Sequence, residues 1–286
     1  MAITDGGFTD VFGPATDPVI TIDTPGYYCI NSGSYTSLTV NADVDAGTEI
    51  VVSPGVTITG TQDLLGDRTT VHAGPGFTVN GLTTVSGARC SVLGSGSGTM
   101  GGVLVNSGAN YFCLNGAGKG FLVDGGSSSH AINIIANDFQ IRNLSINTNN
   151  SSTYTGILTG GSVTRGIINK VKIVNSDDEG VNIAGDDIIL TKCHFLAHGG
   201  YVVLTGTGSV RNIISKCINS DTSGNGIYLR GDNEIVSNII NQGLSGTNGT
   251  RLDGSNSICA GDRLAISAAN NGVNNHIANN KVAAFT

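Results

Sequence analysis

A four-residue phrase returns along this chain at nearly constant spacing. Ile168-Asn169-Lys170-Val171 recurs as Leu190-Thr191-Lys192-Cys193, as Ile214-Ser215-Lys216-Cys217 and as Val236-Ser237-Asn238-Ile239. The steps 168 to 190 to 214 to 236 are 22, 24 and 22 residues. A second, glycine-fenced run follows each of the first three phrases, at 180–185, 200–206 and 226–231. Self-similarity at such a period marks a stacked repeat. Runs of four to six β-prone residues between turn signals mark strands.

If each period is one coil of a parallel β-solenoid, residues one period apart stack about 4.8 Å from each other. Three apolar columns are then expected inside: Ile167, Ile189, Ile213 and Ile235; Ile168, Leu190, Ile214 and Val236; and Val171, Cys193, Cys217 and Ile239. Asn169, Thr191, Ser215 and Ser237 suit an outward or corner column. Arg165, Asp187, Arg211 and Asn233 suit a surface ion ladder. Lys170, Lys192 and Lys216 read as a solvated stripe. Weaker echoes extend the pattern. They lie at 56–60, 77–81, 86–90, 107–113, 141–144 and 277–280. About ten coils follow, a rod of roughly 50 Å. The fold class is all-β, a single-stranded parallel solenoid over 18–286, with 1–17 as an N-terminal arm or cap. Polar stretches at 147–153 and 243–262 are expected to bulge from it.

Composition agrees. The chain has 43 glycines among 286 residues, enough for a turn at every corner, and only 5 prolines, which sheet ladders tolerate poorly. Net charge is −7, which speaks against nucleic acid as a partner. The first seven residues carry neither the charged region nor the apolar region of a secretory signal, and no run reaches membrane-spanning length. Six cysteines are present, and Cys90 with Cys113, like Cys193 with Cys217, is expected to share a column. Buried free thiols are the expectation, since cysteine packs as a small hydrophobe.

The glycine-fenced Ile227-Tyr228-Leu229 run and the run at 235–241 resemble repeats of the right-handed parallel β-helix superfamily, to which pectate lyases (the pectin lyase-like fold), polygalacturonases and viral tailspikes belong. The entry region at 20–28, followed by 38–42, resembles the start of many viral β-helix proteins. The resemblance spans most of the chain and consists of repeats, so it carries fold further than activity. It implies a virion component (a spike, a tail or a capsid-surface element) made in the host cytoplasm. Its implied partners are other virion proteins or itself, as a homotrimer.

The polygalacturonase pattern has only partial echoes here: Asn175-Ser176-Asp177, Asp186-Asp187 and His198-Gly199-Gly200. Asp177 and Asp187 stand ten residues apart, half a coil, and no Arg-Ile-Lys occurs. That site is not carried over. The columns themselves offer another candidate. Asp177, Asp178 and Glu179, then His198, then Asp221 precede strands on successive coils. Paired carboxylates can run glycoside hydrolysis, and turn acids also supply the oxygens Ca²⁺ takes. No cofactor or dedicated metal site is expected. Tyr201 and Tyr228, one coil apart, with Arg230 beside them, are the candidate ligand-binding residues. The favoured function is a structural or adhesive virion β-helix that binds host-surface glycans. The alternative is a polysaccharide hydrolase or lyase using the acidic edge.

Overall fold

The structure, a computed structural model, describes residues 8–13, 18–41, 47–118, 120–125, 130–151, 154–220, 225–242, 250–260, 263–264, 269–270, 274–278 and 281–282. Among the described residues every strand pairing is parallel, and three sheets of 13, 12 and 12 strands run along the stack. One coil visits each sheet once. Thr164–Asn169 lies in the first sheet, Lys172–Ser176 in the second and Val181–Ile183 in the third. The next coil repeats the order with Asp186–Thr191, His194–His198 and Tyr201–Thr205. The chain is therefore a parallel β-solenoid.

The recurring phrase sets the register. Ile168 pairs with Leu190, Leu190 with Ile214, Ile214 with Val236 and Val236 with Cys259, all fully buried. Cys259 pairs in turn with Ile277. Ile141 occupies the floor before Ile168. Val171, Cys193, Cys217 and Ile239 are buried too. Asp10–Phe12 already pairs with the strand Gly26–Ile30.

Two columns differ from expectation. Ile167, Ile189, Ile213, Ile235 and Ile258 stack in register, but they face outward, and Ile167, Ile189 and Ile258 are 39%, 38% and 37% exposed. Successive side chains of a strand point to opposite faces, so burying Ile168 turns Ile167 out. Cys90 and Cys113 do not share a column: Cys113 pairs with Ser91, and its N–H donates to the Cys90 carbonyl. That one-residue offset puts Cys90 in the core and leaves Cys113 half-buried. All six cysteines are free thiols.

The bends explain the rest of the repeat. Arg68, Arg89, Tyr111, Asp138, Arg165, Asp187, Arg211, Asn233, Asn256 and Asn274 all have φ between 55° and 64°. They mark the corner between the third sheet and the first. Asn143, Lys170, Lys192, Lys216 and Asn238 do the same between first and second sheets. A single left-handed residue sharply redirects the chain, and asparagine and aspartate tolerate it best. The ion ladder includes Asp138, which the sequence columns left out. Arg165 holds Asp138 at 2.6 Å, and Arg211 holds Asp187 at 2.6 Å.

The polar stretch at 147–153 is partly sheet. Ser145–Ser151 is one strand whose register with Lys172–Ser176 shifts between Asn147 and Ser151, so the extra residues make a bulge. Of 243–262, the strands Thr250–Leu252 and Ile258–Ala260 continue the sheets, and 243–249 lie outside the described residues.

Candidate functional site

The corner from the second sheet to the third gathers titratable groups on successive floors. Ile132, Ile157, Val181 and Val203 are in register, which places His130, Thr155, Glu179 and Tyr201 on consecutive floors of a column two residues upstream. The ladder bonds Ala131 N–H to Thr155 O, Gly156 N–H to Glu179 O and Gly180 N–H to Tyr201 O fix it. The Thr155 N–H donates to His130 Nδ1 at 2.9 Å, so the neutral ring carries its proton on Nε2. The Thr155 hydroxyl donates to Glu179 Oε2 at 3.2 Å. Tyr154 meets the His130 ring edge-on, centroids 5.4 Å apart.

Burial first, and the adjacent Asp178 carboxylate second, push the Glu179 carboxyl above its ordinary range. Burial lowers His130, partly offset by Asp178. A carboxyl whose hold on its proton is strengthened beside a second acid is one half of an acid–base arrangement.

The other sequence candidates go elsewhere. Asp177 is exposed on the turn. His198 is 1% exposed and points inward. Its ring sits under Gly180, meets Phe195 at 5.8 Å and lies 3.2 Å from the Ile173 carbonyl through Nε2. Burial lowers its pKa to about 4, so it packs as a neutral ring inside the wall. Asp221 lies outside the described residues. His130 and Thr155 went unnoticed in the sequence, because neither belongs to a recurring phrase. Only the 24-to-25-residue steps 130–155–179 could have flagged them. Among the described residues, no three His, Cys, Asp or Glu side chains come together as metal ligands.

Beside this corner, the outer face of the third sheet carries the ligand-binding candidates, and here they meet. Asn182, Leu204, Tyr228 and Arg251 form one column. The Tyr201 and Tyr228 rings lie 5.0 Å apart at 44°. The Arg251 guanidinium covers Tyr228 at 4.6 Å from the ring centroid, and that of Arg230 lies 5.8 Å from it. Asp253 accepts from Arg251 at 2.9 Å and from the Tyr228 hydroxyl. Burial and Asp253 raise the Tyr228 hydroxyl. Tyr201 and Arg251 thus occupy the two sides of Tyr228. The result is a fixed aromatic–cation ridge, a few ångströms from the Glu179 column because Tyr201 belongs to both. A groove of about 570 Å³ over Val51, His72 and Leu93 lies on the first sheet, three to five floors before Asn169.

No family model matches the chain, and no curated protein matches it. Among solved structures, the chain is similar to the Siphovirus 9NA tailspike receptor binding domain at TM-score 0.46 and 11% identity, covering 97% of this chain and 73% of that one. It is also similar to Geobacillus virus E2 ORF18 at TM-score 0.36 and 14% identity, covering 85% of this chain and 56% of that one.

Proposed function

We propose that this chain is a structural and adhesive β-helix of a virus particle. It docks to further copies of itself, or to other particle proteins, through its first sheet, and it binds host-surface glycans along the third-sheet ridge of Tyr201, Tyr228 and Arg230. The observation that carries the reading is the outward isoleucine row. A contiguous apolar stripe on the surface marks an interaction face, unlike single scattered apolar residues. Hydrogen bonding from coil to coil, with thiols buried in the core, suits a rigid exterior component. The ridge presents amphipathic rings and guanidiniums of the kind that grip sugars. The test has two arms. Antibody against the chain should label intact particles. The purified chain should bind cell-surface polysaccharide, with loss on joint Tyr201→Ala and Tyr228→Ala substitution. Particles without label, or binding untouched by the double substitution, would remove the corresponding half.

A second reading, a polysaccharide-cleaving enzyme, is favoured by the raised Glu179 beside Asp178. Glu179 would then serve as the acid, with Asp178 as its carboxylate partner. Release of new chain ends from a bound polymer, abolished by Glu179→Gln and by Asp178→Asn, supports it. Unchanged polymer length removes it.

A further inference from the structure

The two left-handed corners of the coil handle charge differently. At the corner from the third sheet to the first, acids and guanidiniums alternate and neutralise one another, Asp138 with Arg165 and Asp187 with Arg211. At the corner from the first sheet to the second, three successive floors carry Lys170, Lys192 and Lys216, at φ 56°, 57° and 56°. All three are exposed. Their N–H groups donate to the carbonyls of Thr191, Ser215 and Ser237, which fixes them one floor apart. Lys172 opens the second sheet beside Lys170, and Arg142 stands on the floor before. Among the described residues none of these five cations is in an ion pair. The Arg142 Nε–H, shielded from water, has no acceptor.

The face around this corner has a single sign. Its segments 140–147, 167–174, 189–196, 213–220 and 235–242 hold five of the chain's 14 lysines and arginines and none of its 21 acids. Like charges stacked one floor apart, at about 4.8 Å, repel. On the floors to either side the same left-handed position holds Asn143 and Asn238, and asparagine tolerates that backbone better than lysine does. Lysine on the three floors between is therefore disfavoured twice, by its backbone and by its neighbours, and no described side chain offsets the repulsion. An external chain of anions would. The face also offers no platform for a sugar ring or a nucleobase. It has no tyrosine or tryptophan, and its one phenylalanine, Phe195, is buried.

We propose that this corner binds an acyclic phosphodiester polymer, a polyol phosphate, laid along the stack with its phosphates on Lys170, Lys192 and Lys216. This is a second binding face, separate from the third-sheet ridge. An ammonium on a flexible four-carbon stem meets a phosphate as a point charge, so the phosphate spacing need not equal the floor spacing.

The test measures binding of the purified full chain to synthetic poly(glycerol phosphate), with uncharged polyglycerol, oligothymidylate and polyglutamate beside it. Poly(glycerol phosphate) should bind and polyglycerol should not. Its log affinity should fall against log salt with a slope of about −2, three contacts at about 0.7 each. Joint Lys170→Asn, Lys192→Asn and Lys216→Asn substitution suits the left-handed corner, so that chain should fold with an unfolding midpoint no lower than the parent's. It should bind roughly 100-fold more weakly at about 0.1 M salt, the share of the same three contacts. Arg211→Gln, on the neutralised corner, should leave binding as it is. Absence of binding, or equal binding by the parent and the triple variant, overturns the inference. Tighter binding of oligothymidylate would assign the corner to nucleic acid, and tighter binding of polyglutamate to an acidic protein segment. Either result overturns the polyol phosphate.

Discussion

Arg211 and Asp187 meet across one coil through two parallel hydrogen bonds, Nε to Oδ1 at 2.7 Å and Nη2 to Oδ2 at 2.6 Å, while both backbones are left-handed at φ 60° and 55°. The backbone, not the ion pair, is the costly feature of this corner. Surface pairs contribute little, whereas a left-handed β-branched residue costs about 1–2 kcal/mol. Asp187→Val should therefore destabilise the protein by about that amount in urea unfolding, and Asp187→Asn should change little, as Asn233 and Asn256 occupy the same corner on later floors. Equal losses for both substitutions would shift the weight to the ion pair.

Glu234 is buried and accepts four hydrogen bonds, from Thr205, Ser209, Asn212 and the Gly231 N–H. Burial still raises its pKa, against those donors. A raised folded-state pKa means the folded chain holds the proton more tightly than the unfolded chain. Its contribution to stability is complete below the ordinary carboxylate range and is lost as pH rises through the raised value. Stability measured across that window should fall with rising pH, with the slope reduced in Glu234→Gln. That variant is also expected to lose about 1–3 kcal/mol, because its amide NH₂ must face either the Asn212 NH₂ or the Gly231 N–H. An identical pH slope in both proteins would remove Glu234 as its source.

The register of the stack was legible in the sequence because neighbours in space stand one period apart, so 168, 190, 214 and 236 could be aligned by eye. Which face is buried was not legible in that stretch. Both members of Ile167-Ile168, Ile189-Leu190, Ile213-Ile214 and Ile235-Val236 are apolar, so alternation gives no sign of which points in. Asp138 escaped the ion ladder because the coil that follows it is 27 residues long, from 138 to 165, and breaks the spacing. Tyr201, Tyr228 and Arg230 stand out as candidates because aromatic and cationic residues are sparse here, and their side chains lie near one another in the fold. His198 was misread as a surface group, since a histidine before a glycine pair looks like a turn residue. Nothing in its own neighbourhood shows that Gly180, one floor earlier, leaves room for its ring.

Thiol reactivity checks the packing independently of any ligand. Burial raises Cys90 to about 11, and burial with the adjacent Cys193 raises Cys217 further from thiolate chemistry. Only Cys113 is partly open to solvent, and burial raises it too despite Arg142. A thiol reagent at neutral pH should modify at most one cysteine in the folded chain, and that slowly, with all six reacting in denaturant. Rapid modification of Cys193 or Cys217 in the folded state would contradict their place in the core.

Ile189 and Leu190 are chain neighbours on opposite faces of one strand, and they separate folding from docking. Leu190 is fully buried between Ile168 and Ile214, so Leu190→Ala should cost about 2–5 kcal/mol. Ile189 stands in the outward row, where a lysine side chain reaches water without disturbing the sheet, so Ile189→Lys should leave the unfolding midpoint nearly unchanged. The same lysine puts a charge into the apolar stripe that a second copy would have to bury, and desolvating it opposes association. Sedimentation should show the parent chain associating with concentration and the Ile189→Lys chain remaining monomeric with the same stability. A parent chain that stays monomeric up to high concentration would leave the row facing some other particle protein and withdraw self-association from the proposal. Loss of folding in Ile189→Lys would mean the column faces inward after all.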